Sequence, residues 1–311
     1  MVRRAALVLS ILCSAGARAA TNDLQLWRLG NPDTIQVCTL CTGADNVPIL
    51  GDPSAQFRFA RMTASLALAF APAFEDQAQT TGQAGFEMGG GVQVAFPKLA
   101  PQEWPSEGTL GTGSPPQALY LPTVALRKGL GGSFELGAAV SWLTGSQMLA
   151  LGGQLRWAPI EGLYGLPDVA IRAWATRLIG AQELNLTFGG ADIVISKSFG
   201  VGGTARLQPY GQYGMTLVDA SSGAVDFSPG TENPSDPSAD DRSFRRIAFW
   251  ENRYHRLVAG VRMVSGALLL GLEGGVAFGT NPIQHDSSLP GGGSTQFTRV
   301  WSASARLGTT F

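Results

Sequence analysis

Eight arginines fall on alternate positions of extended segments. They are Arg61, Arg127, Arg156, Arg172, Arg206, Arg256, Arg262 and Arg306, and Glu87, Glu135 and Glu273 share their parity. Of the chain's 22 Lys and Arg residues, all but Lys98, Lys128 and Lys197 are Arg. A guanidinium group holds its charge at any working pH and can grip a carboxylate or an anion with two parallel hydrogen bonds. One row of inward arginines can therefore do two things. It can pair with the glutamates into a network that fills an interior, or it can line a water-filled path that favours anions. Both readings stay open from sequence.

Other residues with chemical potential offer less. Cys38 and Cys41 are the only cysteines beyond residue 20. In an oxidising compartment this CxxC predicts a local disulfide. A redox centre would want a helix N-terminus to lower a thiol pKa, and zinc would want four ligands, whereas His255 and His285 are the only histidines. No metal or cofactor is expected. His255 has no Ser two residues on and no G-x-S-x-G accompanies it, so the chain does not read as a lipid-modifying enzyme. Gly200-Val201-Gly202-Gly203 imitates a dinucleotide fingerprint but opens an alternating segment instead of a helix. The acidic stretch from Asp219 to Asp241 matches no calcium loop.

The elements that position these residues have a two-residue period. The clearest is Gln296–Phe311, where Phe297, Trp301, Leu307 and Phe311 share a mostly apolar face. It is longer than the ~5–6 residues of an ordinary strand and matches the ~9–11 that cross a bilayer, with interfacial ends. Eleven further segments alternate in the same way. They are Phe57–Phe70, Phe86–Phe96, Leu119–Lys128, Ser133–Trp142, Gln147–Trp157 and Asp168–Arg177, followed by Gln182–Phe188, Ala191–Phe199, Thr204–Leu217, His255–Val264 and Ala267–Gly279.

Composition agrees. Charged residues make up 14% of the chain, against ~25% in a typical soluble domain, and Gly reaches 41 residues. Net charge is −1, so there is no basic field for nucleic acid. Arg3 and Arg4, the apolar Ala5–Ala15 and the small-x-small Ala17–Ala19 predict a signal peptide over residues 1–19. No run of ~18 apolar residues follows it.

With its terminal Phe311, Leu307 and Trp301 on one face and a series of long strands, the chain resembles the bacterial outer-membrane β-barrel superfamily. Runs such as Leu126–Leu130 and Gln208–Gly211 resemble uncharacterised members from myxobacteria-like Gram-negatives. The resemblance implies an all-β antiparallel transmembrane barrel in the outer membrane. There the C-terminal strand, with Trp301, Leu307 and Phe311, is read by the barrel assembly machinery.

The expectation is a barrel of about twelve strands (ten to fourteen) over residues 57–311, preceded by a periplasmic segment over 20–56. Counting back from Phe311 places Phe70, Phe86, Phe134, Trp157, Phe188, Phe278 and Phe297 toward the outer side. Phe96, Trp142 and Phe311 then lie at the inner side, and Pro97–Gln117 becomes an unusually long periplasmic connection. The expected partners are outer-membrane lipid and small, perhaps anionic, solutes passing or binding in the Arg-rich lumen. The competing reading is a closed structural or surface-interaction barrel.

Overall fold

The computed structural model describes residues 21–32, 55–72, 77–163, 165–227, 229, 241–251, 253–280 and 297–311. The signal peptide and the Cys38–Cys41 pair lie outside the described residues.

Among the described residues, ten strands form the wall. They are β1 (Phe86–Pro97), β2 (Leu119–Leu130), β3 (Phe134–Trp142), β4 (Leu149–Ile160) and β5 (Asp168–Ile179), then β6 (Leu184–Ser196), β7 (Ala205–Ser222), β8 (Arg253–Ser265), β9 (Leu268–Thr280) and β10 (Phe297–Thr310). Each pairs antiparallel with its chain neighbours, and β10 pairs with β1, so the sheet closes and leaves no wall strand unpaired. A short strand, Phe199–Val201, adds to the edge of β7.

Alternation along every strand separates two faces. Outward positions carry Met88, Val92, Leu126, Leu136, Leu151, Ile171, Ile193, Leu257, Leu272 and Leu307, all exposed. A continuous apolar belt of this extent is rare on water-soluble monomers and suits a lipid environment. No described helix is long and apolar enough to cross a membrane. Outward aromatics gather near both rims. Phe86, Phe134, Trp157 and Phe311 stand at the rim holding the C-terminus, and Phe96, Tyr120, Trp142 and Trp301 stand at the opposite one.

The expected strands need two corrections. Phe57–Phe70 is not a strand. Ala55–Ala69 forms α1, a helix lying inside the barrel. Its sequence, AQFRFARMTASLALA, is built from strong helix formers and contains no Val, Ile or Gly. The alternation of Ala60, Met62, Ala64, Leu66 and Leu68 was accidental. A helix buried on every side has no polar face, so its 3.6-residue period is silent. The second correction concerns Gln182–Phe188 and Ala191–Phe199, which belong to one strand, β6. It runs unbroken through Gly189 and Gly190.

The merger reverses the direction assumed for every strand before β6. Phe86, Phe134 and Trp157 therefore share a rim with Phe311, and Phe96 and Trp142 lie at the other. Phe70 and Phe188 are not lipid-facing at all but buried in the interior. With ten strands, the connections 98–118, 223–252 and 281–296 all fall at one end, here the loop end. The connections 131–133, 161–167, 197–204 and 266–267 fall at the other, the terminus end. The long 98–118 connection is no longer an anomaly. It holds the helix α2 (Glu107–Thr112), capped by Ser106.

Residues 21–31 dock on the loop end. Asn22 N donates to Gly145 O (2.8 Å), Gln25 N donates to Pro105 O (2.8 Å), and Leu24 bridges to Ser106. Leu26 and Leu29 are fully buried there. From the loop end α1 descends into the lumen. Gln56 exchanges hydrogen bonds with the backbone of Arg245, Phe59 stacks on Phe244 at 4.6 Å, and Gln93 donates to Ala69 O at 2.8 Å. Residues 77–81 are at the terminus end, where Ala78 N donates to Ser196 Oγ (2.8 Å) and Thr80 N to Glu161 (2.8 Å). The chain thus threads its own barrel before β1 begins.

Phe311 closes the seam. Its backbone N donates to Phe86 O at 2.8 Å, Phe86 N donates to Phe311 O at 3.0 Å, and the rings lie 6.4 Å apart. Deleting Phe311 removes both bonds at about 0.5–1.5 kcal/mol each. Chemical unfolding of the refolded barrel in micelles should show about 1–3 kcal/mol lost. Phe311→Ala, which keeps the backbone pair, should lose less.

Candidate functional site in the lumen

Inward positions of the wall change character along the barrel axis. Near the loop end they are Leu119, Leu121, Ala150, Trp174, Leu178, Leu184, Leu186, Phe188, Val218, Tyr254 and Val300. These form one buried cluster with Leu26, Leu29, Phe59, Met62, Leu66 and Leu68. Here the strands are apolar on both faces, as strands covered on both sides are. The inner cover is α1. Small residues Ala60, Ala64, Ser65 and Ala67 keep the helix slim enough for a ten-stranded wall.

Below the helix the inward residues are charged. Glu87, with no exposed surface, is the centre of one cluster. Its Oε2 accepts from Arg262 Nη2 at 2.6 Å, its Oε1 accepts from Arg306 Nη2, and Arg127 Nη1 lies 3.7 Å from Oε1. Arg306 reaches Glu87 across Gly89, where a Cβ would sit 2.6 Å from the guanidinium Nε. A second cluster joins Arg172 to Asp192, through Nη2 at 2.5 Å and Nε at 3.1 Å, and to Gln154 at 3.2 Å. Asp192 lies over Gly214, whose missing Cβ makes room for it. In a third, Arg156 pairs with Glu135 at 3.2 Å and donates to Gln77 O at 3.0 Å, while Glu135 accepts from Thr81 N at 3.0 Å. This last cluster ties the threaded segment to the wall.

The remaining expected residues sit apart. Arg61 belongs to α1, not to the wall, and pairs with Glu103 at 3.0 Å while donating to Lys98 O at 3.1 Å. Arg256 donates to Pro72 O at 2.6 Å. Glu273, half-buried, accepts from Tyr210 Oη at 2.8 Å. Arg206 is exposed at the terminus end and has no ion pair among the described residues. Between the end of α1 and the Arg172 cluster, a void of only ≈30 Å³ is lined by Phe70, Pro72, Thr123, Arg127 and Gln154.

Sequence reading missed three partners, Asp192, Glu103 and the carbonyl of Gln77. Asp192 has the same inward parity as Val194 and Ser196, but the false break at Gly189-Gly190 hid it. Glu103 and Gln77 lie in irregular segments where periodicity is silent.

Outside the wall, the His255 ring stacks against Tyr213 and accepts or donates one hydrogen bond with its hydroxyl (2.9 Å), beside Phe278. At the loop end the Glu183 carboxyl is raised above its usual range, first by partial desolvation and then by Asp226 and Asp241. Among the described residues no group of His, Cys, Asp and Glu is placed to hold a metal.

No protein-family model matches the chain, and no curated protein matches it. Among solved structures it is similar to the N-terminal β-barrel domain of Pseudomonas aeruginosa OprF at 10% identity, covering 74% of this chain and 99% of that one (TM-score 0.29). LpxR from Salmonella typhimurium is similar at 7% identity, with 70% and 99% covered (TM-score 0.31). The translocator domain of the autotransporter NalP from Neisseria meningitidis is similar at 12% identity, with 74% and 88% covered (TM-score 0.30). At these values they carry no argument about this chain, and its barrel is read from its own strand pairing.

Removing one partner of a buried ion pair costs about 3–5 kcal/mol. Glu87→Ala leaves three buried guanidinium groups without their shared carboxylate. A loss of that order in unfolding free energy, measured by denaturant titration in micelles, is the expected result. Arg177→Ala, at an exposed site bonded to Asn185 and Thr187, should stay within about 1 kcal/mol of the parent.

Proposed function

We propose that this chain is a non-enzymatic outer-membrane β-barrel that is closed to free passage by its own N-terminal helix. Its loop end faces the exterior and its chain end faces the periplasm. The apolar belt between two aromatic rims supports insertion in lipid. The gathering of all long connections at one end supports the orientation. The observation that carries the closure is α1, whose surroundings are wall strands, apolar side chains and buried ion pairs.

In this reading the arginines are interior packing. They satisfy carboxylates, the descending chain and one another's surroundings within a narrow space. Phe311, Leu307 and Trp301 serve insertion through the assembly machinery. Outside, residues 21–31 and the loop 98–118 form one docked layer, with Arg28 paired to Glu107 at 2.9 Å, and this layer is the surface offered to partners. This reading puts residues 21–31, expected in the periplasm, outside the cell.

A second reading, passage of small anionic solutes, has one observation in its favour. Arg206 faces a polar cavity at the terminus end. Passage would require α1 to leave the lumen, against the burial of nearly its whole surface.

Two outcomes check the proposal. The full-length refolded chain in a planar bilayer should be electrically silent, and steady anion-selective openings would instead favour the second reading. An epitope placed before Thr21 in the processed chain should bind antibody on intact cells. Labelling only after the outer membrane is permeabilised would reverse the orientation or refute the threading.

A further inference from the structure

The terminus end holds a feature that neither the plug nor the lipid belt requires. A cavity of ≈430 Å³ lies between the threaded segment and the ends of β7, β8 and β10. Its lining includes Thr204, Arg206, Gln208, Arg262 and Thr310. Two guanidinium groups face it and no carboxylate does. That volume is within the ~300–1,000 Å³ of small-molecule sites and far exceeds what a single water fills.

The acidic groups nearby are turned to other work. Glu161 accepts from Thr80 N and Glu135 accepts from Thr81 N, so both hold the threaded segment's backbone. Asp168 accepts from Gly162 N at 2.8 Å and from Gln79 Nε2. Arg262 spends one Nη on Glu87, but its buried Nε makes no hydrogen bond. Arg206 lies at the mouth with its guanidinium exposed. Gln208 is fixed by donating to Ser198 Oγ at 2.9 Å, and its buried Oε1 accepts nothing.

We propose that this cavity binds a small oxyanion entering from the terminus end. Arg206 is the entry and main charge partner, Arg262 adds a second positive charge from the cavity wall, and Thr204 and Thr310 add hydroxyls to the lining. A planar guanidinium fork matches phosphate or carboxylate geometry. The site sits below the plug and asks for no passage through the barrel. It therefore stands or falls independently of whether the lumen conducts.

Inorganic phosphate is the probe. Isothermal titration of the full-length refolded barrel at neutral pH, in chloride buffer, should give one saturable site. Arg206→Gln, at an exposed position, should unfold at the parent's denaturant midpoint yet bind phosphate at least tenfold more weakly. Arg206→Lys, which keeps the charge and loses the fork, should fall between them. Arg177→Gln, an exposed arginine at the far end, should bind as the parent does. Absence of saturable binding by the parent overturns the proposal. So does an Arg206→Gln variant that binds like the parent, or an Arg177→Gln variant weakened to the same degree.

Discussion

The helix α1 inside the barrel is the contact on which the rest of the structure depends. A closed wall of ten strands encloses a space too wide to be left empty and too narrow for a generous channel. A helix suits that space because its backbone is already hydrogen-bonded along its length, so it asks nothing of the wall beyond packing. Once it is present, the inward wall residues around it must be apolar. Hence Leu119, Leu186, Phe188 and Val300 face the lumen, where a water-filled barrel would carry polar groups. The charged residues are displaced to the lower half. There the carbonyls of Pro72 and Gln77 and the amides of Thr80 and Thr81 need partners, and Arg256, Arg156, Glu161 and Glu135 supply them.

The same contact decides what the arginines do. An arginine facing open water would keep its hydration and attract mobile anions. Arg127, Arg156, Arg172, Arg262 and Arg306 are each at least nine-tenths buried and sit against carboxylates. Desolvating so many charges is tolerable only with such pairing, and it fixes geometry more than it adds stability. Arg206, beyond the clusters and open to solvent, is the exception, and the cavity is built around it.

Much of the fold could be read from the sequence because a wall strand exposed to lipid on one face carries a strict two-residue period. The C-terminal strand, the long segments from Leu119 to Trp157 and the parity of nearly every inward arginine follow from it. The period fails where both faces are covered. In Ala55–Ala69 the absence of Val, Ile and Gly was the readable sign of a helix, and the accidental alternation outweighed it. At Gly189-Gly190 two glycines inside a strand looked like a turn, although Thr187, Ala191, Ile193 and Ile195 keep one parity straight through them. One false break there reversed half of the wall, and with it both aromatic rims. The carboxylate partners from loops were beyond reach, since no periodicity links Glu103 to Arg61. Nor could alternation reveal that the apolar inward ends of β2, β5 and β6 were waiting for a helix.

The central claim is that α1 occupies the lumen of the folded barrel. Its most direct measurement is nuclear Overhauser spectroscopy on full-length protein in micelles, with only the phenylalanine rings protonated. Phe59 and Phe244, stacked at 4.6 Å, should give ring-to-ring cross-peaks that disappear in Phe59→Leu. If those cross-peaks are missing while the wall strands show their own cross-strand contacts, the helix lies outside the barrel and this account of the closed lumen is wrong.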